Sequence, residues 1–148
     1  MSSEEQKLIE EIFPGLQSTG YDITSPATKE YNCIAWAAED TEAWWWPNKD
    51  CFWPSEVPQE ENIDVFIKVY EALGYSLCDS NSYEEGVEKV AIYVDSEGIP
   101  THAARQLSNG RWTSKLGKSE DIEHNTLDGL VSTEYGTVAV IMKRLKKK

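Results

Sequence analysis

The chain has 148 residues, 26 acidic against 14 basic, a formal net charge of −12 and a pI near 4.5. That length fits one domain, residues 1–148, and 40% hydrophobic content with six Trp and seven Tyr is enough for an ordinary core. The acidity sets the surface against phosphate backbones and excludes nucleic acid as a general partner, and the lack of a long apolar run excludes a membrane-spanning helix.

Taken in order, residues 2–12 read as a helix, with Ser3 as its cap, Gln6 at capping-box spacing and Leu8, Ile9 and Ile12 as its apolar stripe. Pro14-Gly15 ends it, and the turn formers of 16–28 predict a surface loop. Residues 30–39 (Glu-Tyr-Asn-Cys-Ile-Ala-Trp-Ala-Ala-Glu) predict a short helix with Asn32 as N-cap, Cys33 at its first turn and Ile34, Ala37 and Ala38 on its buried face. Residues 41–58 carry Trp44-Trp45-Trp46, Phe52 and Trp53 among prolines 47, 54 and 58, which predicts a long loop pinned by its rings. Residues 59–73 give the clearest helical period (Ile63, Phe66, Ile67, Val69, Tyr70, Leu73), stopped by Gly74.

The second half reads as strands: 75–78, 88–95, 101–107, 111–116 and 135–142, with Ser108-Asn109-Gly110 as a hairpin turn. Residues 121–130 suit a short helix, with Ser119 as a possible cap, or an irregular loop. The basic stretch 143–148 reads as a frayed, solvated end. Helices followed by a run of strands predict an α+β fold, with the Cys33 helix packed on one face of an antiparallel sheet.

A thiol at a helix N-terminus is a candidate nucleophile, because free N–H groups and the macrodipole favour the anion; a small buried core residue is the plain alternative. A nucleophilic cysteine needs a base and an orienting group. Of the two histidines, His102 begins a strand among small neighbours, whereas His124 sits in a polar segment. His102 is the expected base. Ser114 on the next strand, or Gln106 on the same strand face, is the expected orienter, with Asp121, Glu123 and His124 as less constrained alternatives. Asn32, Trp44, Trp45, Trp46, Trp53 and Trp112 are the expected ligand contacts, and Arg105, Arg111 and Lys115 read as charges projecting from the strands. Cys51 reads as structural. Cys33, Cys51 and Cys78 form no CxxC pair, so neither a disulfide framework nor a zinc site is expected, and no metal or other cofactor is called for. The polar, acidic start of the chain carries no signal core, so a reducing, cytoplasmic compartment is expected.

A helix-borne Cys, a strand-borne His and a polar residue on the next strand make up an order that resembles the NlpC/P60 and CHAP branch of papain-like cysteine peptidases and amidases. The windows are Asn32-Cys-Ile-Ala-Trp-Ala37 and Thr101-His-Ala-Ala-Arg-Gln-Leu-Ser-Asn-Gly-Arg-Trp-Thr-Ser-Lys-Leu-Gly117. The resemblance implies Cys33 as nucleophile, His102 as base and Ser114 in the third position, where related papain-like sequences carry histidine. Asn32 stands where NlpC/P60 peptidases usually carry Asp. The chain also resembles a bacterial domain family of unknown function, marked by Thr-Ser-Pro-Ala-Thr (24–28), Tyr-Asn-Cys-Ile-Ala-Trp-Ala-Ala (31–38), Trp-Trp-Trp-Pro (44–47) and Thr-Ser-Lys-Leu-Gly (113–117).

Two functions follow as expectations. One is a cysteine hydrolase or acyl transferase acting on an amide or ester through a Cys33–His102 dyad. The other is a papain-like module without catalysis, binding a small-molecule, peptide or protein ligand with the Trp-rich loop.

Overall fold

The computed structural model describes residues 4–25, 28, 30–116 and 120–145. Its frame is one seven-stranded antiparallel sheet in the order β1-β6-β5-β4-β3-β7-β2. The strands are β1 (Tyr21–Ser25), β2 (Ser76–Cys78), β3 (Val87–Val94), β4 (Pro100–Gln106), β5 (Trp112–Lys115), β6 (Asp121–His124) and β7 (Thr137–Leu145). The helices are α1 (Glu4–Ile12), α2 (Gly15–Thr19), α3 (Cys33–Ala37) and α4 (Ile63–Ala72), with a 3-10 helix at Leu127–Leu130. The α+β, antiparallel expectation holds.

Side chains alternate across a strand, so each strand feeds two cores. On one face Val90, Ile92, Ala103 and Met142 pack against Ile34, Ala35 and Ala37 of α3, Phe66, Val69 and Tyr70 of α4, and Trp45 and Trp53 of the loop. On the other, Ala91, Tyr93, Ala104, Trp112 and Ile122 pack against Ile9, Phe13 and Leu16 and the 3-10 residues Leu127 and Leu130.

Several elements depart from the sequence reading. Residues 16–28 are not a plain loop: α2 and edge strand β1 lie within them, and β1 pairs with β6 from Tyr21↔His124 to Ser25↔Asp121. Residues 121–130 are neither a helix nor a plain loop but strand β6 followed by the 3-10 helix. On α1 only Ile9 of the stripe is buried; Leu8 and Ile12 face solvent, and Phe13 past the helix end completes the contact. Helix α4 begins at Ile63, where the Asn62 side chain accepts the Val65 N–H at 2.9 Å. The basic stretch does not begin as a frayed end, since Lys143, Arg144 and Leu145 continue β7 opposite Lys89, Glu88 and Val87. Residues 146–148, Ser3, Pro26, Gly117 and Ser119 lie outside the described residues.

The Trp-rich stretch is an irregular loop with one isolated bridge, Trp45↔Phe52. Asn32 fastens it: Oδ1 accepts the Ala35 N–H (3.0 Å), capping α3, and the Trp45 N–H (3.1 Å), while Nδ2 donates to Trp45 O (2.7 Å).

The turn before β7 sets Tyr135 in place. Gly136 there has φ +77°, and a Cβ on it would lie 1.8 Å from Val94 O. Gly136→Ala is expected to destabilise the protein by about 2 kcal/mol or more, read as a fall in the urea midpoint at unchanged m-value.

Candidate functional site

Cys33 opens α3 under a filled Asn32 cap. Its thiol is buried and points at Thr101 O at 4.0 Å, the outer limit for a sulfur donor. Asn32, Cys33, Trp44, Trp46, Asn48, Cys51, Thr101 and Tyr135 line a cavity of about 310 Å³. Trp44, Trp46 and Tyr135 give it aromatic walls, Asn32, Asn48 and Thr101 give it polar points, and none of these side chains carries a charge at neutral pH. Of the expected contacts, Asn32, Trp44 and Trp46 meet here. Cys51, read from sequence as structural, also lines the cavity.

The remaining expected contacts have other work. Trp45 is buried, donates Nε1–H to Asp40 Oδ2 at 2.7 Å and packs on Phe52. Trp53 is buried against Phe66 and donates to Pro58 O. Trp112 belongs to the core of the opposite sheet face.

The structure does not bring Cys33 and His102 together. Cys33 packs on the face of Ala103, whereas His102, one residue earlier in β4, points to the face of Ala104. There its ring stacks on Tyr135 (centroids 4.1 Å apart, 11° between planes) and meets Tyr93 edge-on at 5.3 Å. Ser114 does meet His102, but on that same far face. Gln106 lies there too, tying Asn81 O and Gly110 O. The expected Cys33–His102–Ser114 or Gln106 arrangement is therefore divided by the sheet.

His102 belongs to a polar chain whose direction is fixed by its ends. His124 Nδ1 lies 2.9 Å from Thr126 O, and a carbonyl only accepts, so Nδ1 carries the proton. His124 Nε2 then accepts from the Ser114 hydroxyl (2.8 Å), and Ser114 Oγ accepts Nε2–H of His102 (3.0 Å). The chain ends on His102 Nδ1, a buried lone pair with no hydrogen-bond partner. Burial holds both imidazoles neutral: His102 is pushed well below its usual range, with His124 adding to the effect, and His124 is pushed down to about 4. The sequence reading of His124 as a surface histidine is corrected by its full burial.

The thiol is also corrected in direction. Burial pushes Cys33 up to about 11, and backbone N–H groups at Ala103, Ile34 and Cys33 oppose this without overcoming it. The helix N-terminus does act on the sulfur, but desolvation wins.

Residues to which the sequence reading gave other roles share the sheet face of Cys33. Lys115, expected as a projecting charge, is fully buried on the Cys33 face and donates to Thr28 O at 2.9 Å. It pairs across the strands with Asp121, itself buried, which accepts a short hydrogen bond from the Tyr31 hydroxyl. Arg105 lies 5.5 Å from the Trp36 ring, and Arg111 is bound to Asp22 and Glu123. The strand alternation that separates Lys115 from Ser114 was available in the sequence. What was missing was which set faces α3, because the neighbouring positions Ala103 and Ala104 are both alanine and give no contrast.

The family model for the Domain of unknown function (DUF7689) matches residues 22–143, which span every cavity residue and both sets of buried polar groups, so the chain belongs to that family. No curated protein and no solved structure matches it. Among the described residues no helix is long and apolar enough to cross a membrane.

The buried imidazoles make stability depend on pH with a definite sign. Their folded pKa values lie below the unfolded value of 6.5, so the unfolded chain binds protons that the native chain refuses once pH falls below about 6.5. His124 should remove about 2 kcal/mol between pH 6.5 and 5, and His102 acts in the same direction. Urea unfolding at pH 7.5, 6 and 5 should show a falling midpoint, and His124→Gln should flatten the slope; an equal midpoint at all three would contradict the buried neutral pair.

Proposed function

We propose that this member of the DUF7689 family is a ligand-binding module whose cavity between α3, the Trp-rich loop and Tyr135 takes a small uncharged molecule or an uncharged group of a peptide. The observation that carries this reading is the cavity itself: three aromatic walls, a few polar side chains and no charged lining residue. Flat aromatic faces give large contact area, and scattered amide and hydroxyl groups orient what stacks on them. Division of Cys33 from His102 by the sheet favours binding over a cysteine–histidine mechanism. The papain-like kinship suggested by sequence fits a helix-borne cysteine laid on an antiparallel sheet, and the module is read as a non-catalytic relative of that group. Three free thiols suit a reducing compartment such as the cytoplasm.

A second reading retains Cys33 as a nucleophile toward an amide or ester. It is favoured by one observation, the thiol heading α3 on the cavity wall, and it requires an activating group other than His102.

The test is a fragment screen with neutral aromatic and aliphatic amides and alcohols, followed by indole N–H shifts in NMR. Binders should move the Trp44 and Trp46 signals, and Trp44→Ala or Trp46→Ala should weaken them by about tenfold or more. Trp45→Ala and Trp53→Ala should instead lower the melting temperature, because those rings are core. Fragments that bind elsewhere, or equally to the Trp44 and Trp46 variants, would sink the reading. Turnover of an amide or ester that is lost in Cys33→Ser would favour the second.

A further inference from the structure

We infer that a second pocket, on the sheet face opposite Cys33, binds a small organic cation that carries N–H donors, of the alkylammonium kind. It is independent of the cavity beside α3. Its walls are Asn81 and Tyr83 from the loop between β2 and β3, Gln106 and Gly110 from the β4–β5 hairpin, Trp112 of β5, and Asp128 of the 3-10 helix, around a volume of about 310 Å³. That is the lower end for a ligand pocket and suits a group the size of one side chain.

The strand register places the recognition group. Gln106 pairs directly with Trp112 across the hairpin, so amide and indole lie side by side on one face. Gln106 is only 6% exposed. Its Nε2 donates to Asn81 O at 3.1 Å and to Gly110 O at 3.3 Å, and both carbonyls belong to residues of the pocket wall. A carbonyl oxygen only accepts, so the amide is not free to turn round, and Oε1 is the end left over. That oxygen is buried with no hydrogen-bond partner. A buried acceptor without a donor is costly, and an N–H brought in by an occupant removes the cost.

The surrounding charges choose the sign of the occupant. Asp128 is the charged side chain of the lining; it is exposed, and it enters no ion pair among the described residues. The cations nearby are already engaged. Lys89 Nζ donates to Ser80 O and Ser82 O and pairs with Glu84, and Arg111 is held by Asp22, Glu123 and Asn125 Oδ1. The net charge of −12 adds to the attraction for a cation. Tyr83 and Trp112 supply the ring surface on which a cation rests. Lys89 ties the loop backbone, so the exposed Tyr83 side chain, laid against Gly110, is the part of the wall that turns as a group enters.

The experiment titrates the protein with butylammonium chloride and follows the Trp112 indole N–H by NMR. Trp112 should shift with a Kd on the order of millimolar while Trp44 and Trp46 stay in place. Tetramethylammonium, a cation without N–H, and butanol, a donor without charge, should each bind about tenfold more weakly. Asp128→Asn, an exposed change that leaves the core intact, should weaken butylammonium about fivefold. Gln106→Met should bring butylammonium and tetramethylammonium within about twofold of each other, with thermal melts as the check that it folds. In a second arm, Nα-acetyl-lysine amide replaces butylammonium: tighter binding assigns the cation to a lysine side chain of a peptide, weaker binding to a free amine. A Trp112 signal that does not move, butanol or tetramethylammonium binding as well as butylammonium, or an unchanged affinity in Asp128→Asn overturns the inference and leaves the cavity beside α3 untouched.

Discussion

The two-residue period of β4 is the constraint on which the site depends. Thr101, Ala103 and Arg105 face α3, while His102, Ala104 and Gln106 face the opposite core. A strand passes no side chain through itself, so a thiol over Ala103 and an imidazole beside Ala104 stay on different sides of one peptide layer. Everything else polar in the core sorts by that rule. Ser114 and His124 join His102, whereas Thr113, Lys115 and Asp121 lie on the side of Cys33.

Each face then solves burial of polar groups differently. The His102–Ser114–His124 chain is uncharged, and desolvation keeps it so; it ends on a lone pair that has no donor. The Lys115–Asp121–Tyr31 cluster carries formal charges of both signs with hydrogen bonds around them, which is the condition under which buried charge is tolerated. Cys33 lies on the same sheet face as the charged cluster but is itself desolvated, and burial outweighs the helix terminus.

The Trp-rich loop has few backbone bonds of its own and is held by rings and by one asparagine. Asn32 caps α3 and grips both the N–H and the carbonyl of Trp45 with the same side chain. The residue that ends the chain's approach to the helix also sets the cavity wall, so the loop and the thiol are placed together. Trp45 and Trp53 turn inward as core, Trp46 packs edge-on against Phe66 while also lining the cavity, and Trp44 lines the cavity with it.

Much was determined by sequence alone, where the signal was local. The Asn32 cap, the short α3, the period of α4, the irregular Trp loop and the Ser108-Asn109-Gly110 turn all follow from propensity, capping and turn chemistry acting over a few residues. Strand β1 was not legible, because its five residues stand between turn formers and are stabilised as an edge strand by pairing with β6, about a hundred residues away. Residues 121–124 failed for the same reason: their polar side chains find partners only across the sheet. The site was legible as a set of residue types around Cys33, including the Trp loop and the contact of His102 with Ser114. Which groups share a face with the thiol was decided by the tertiary structure alone, because adjacent alanines in β4 carry no hydrophobic contrast, and only the packing of α3 through Trp36 onto Thr113 sets the face on which Cys33 rests.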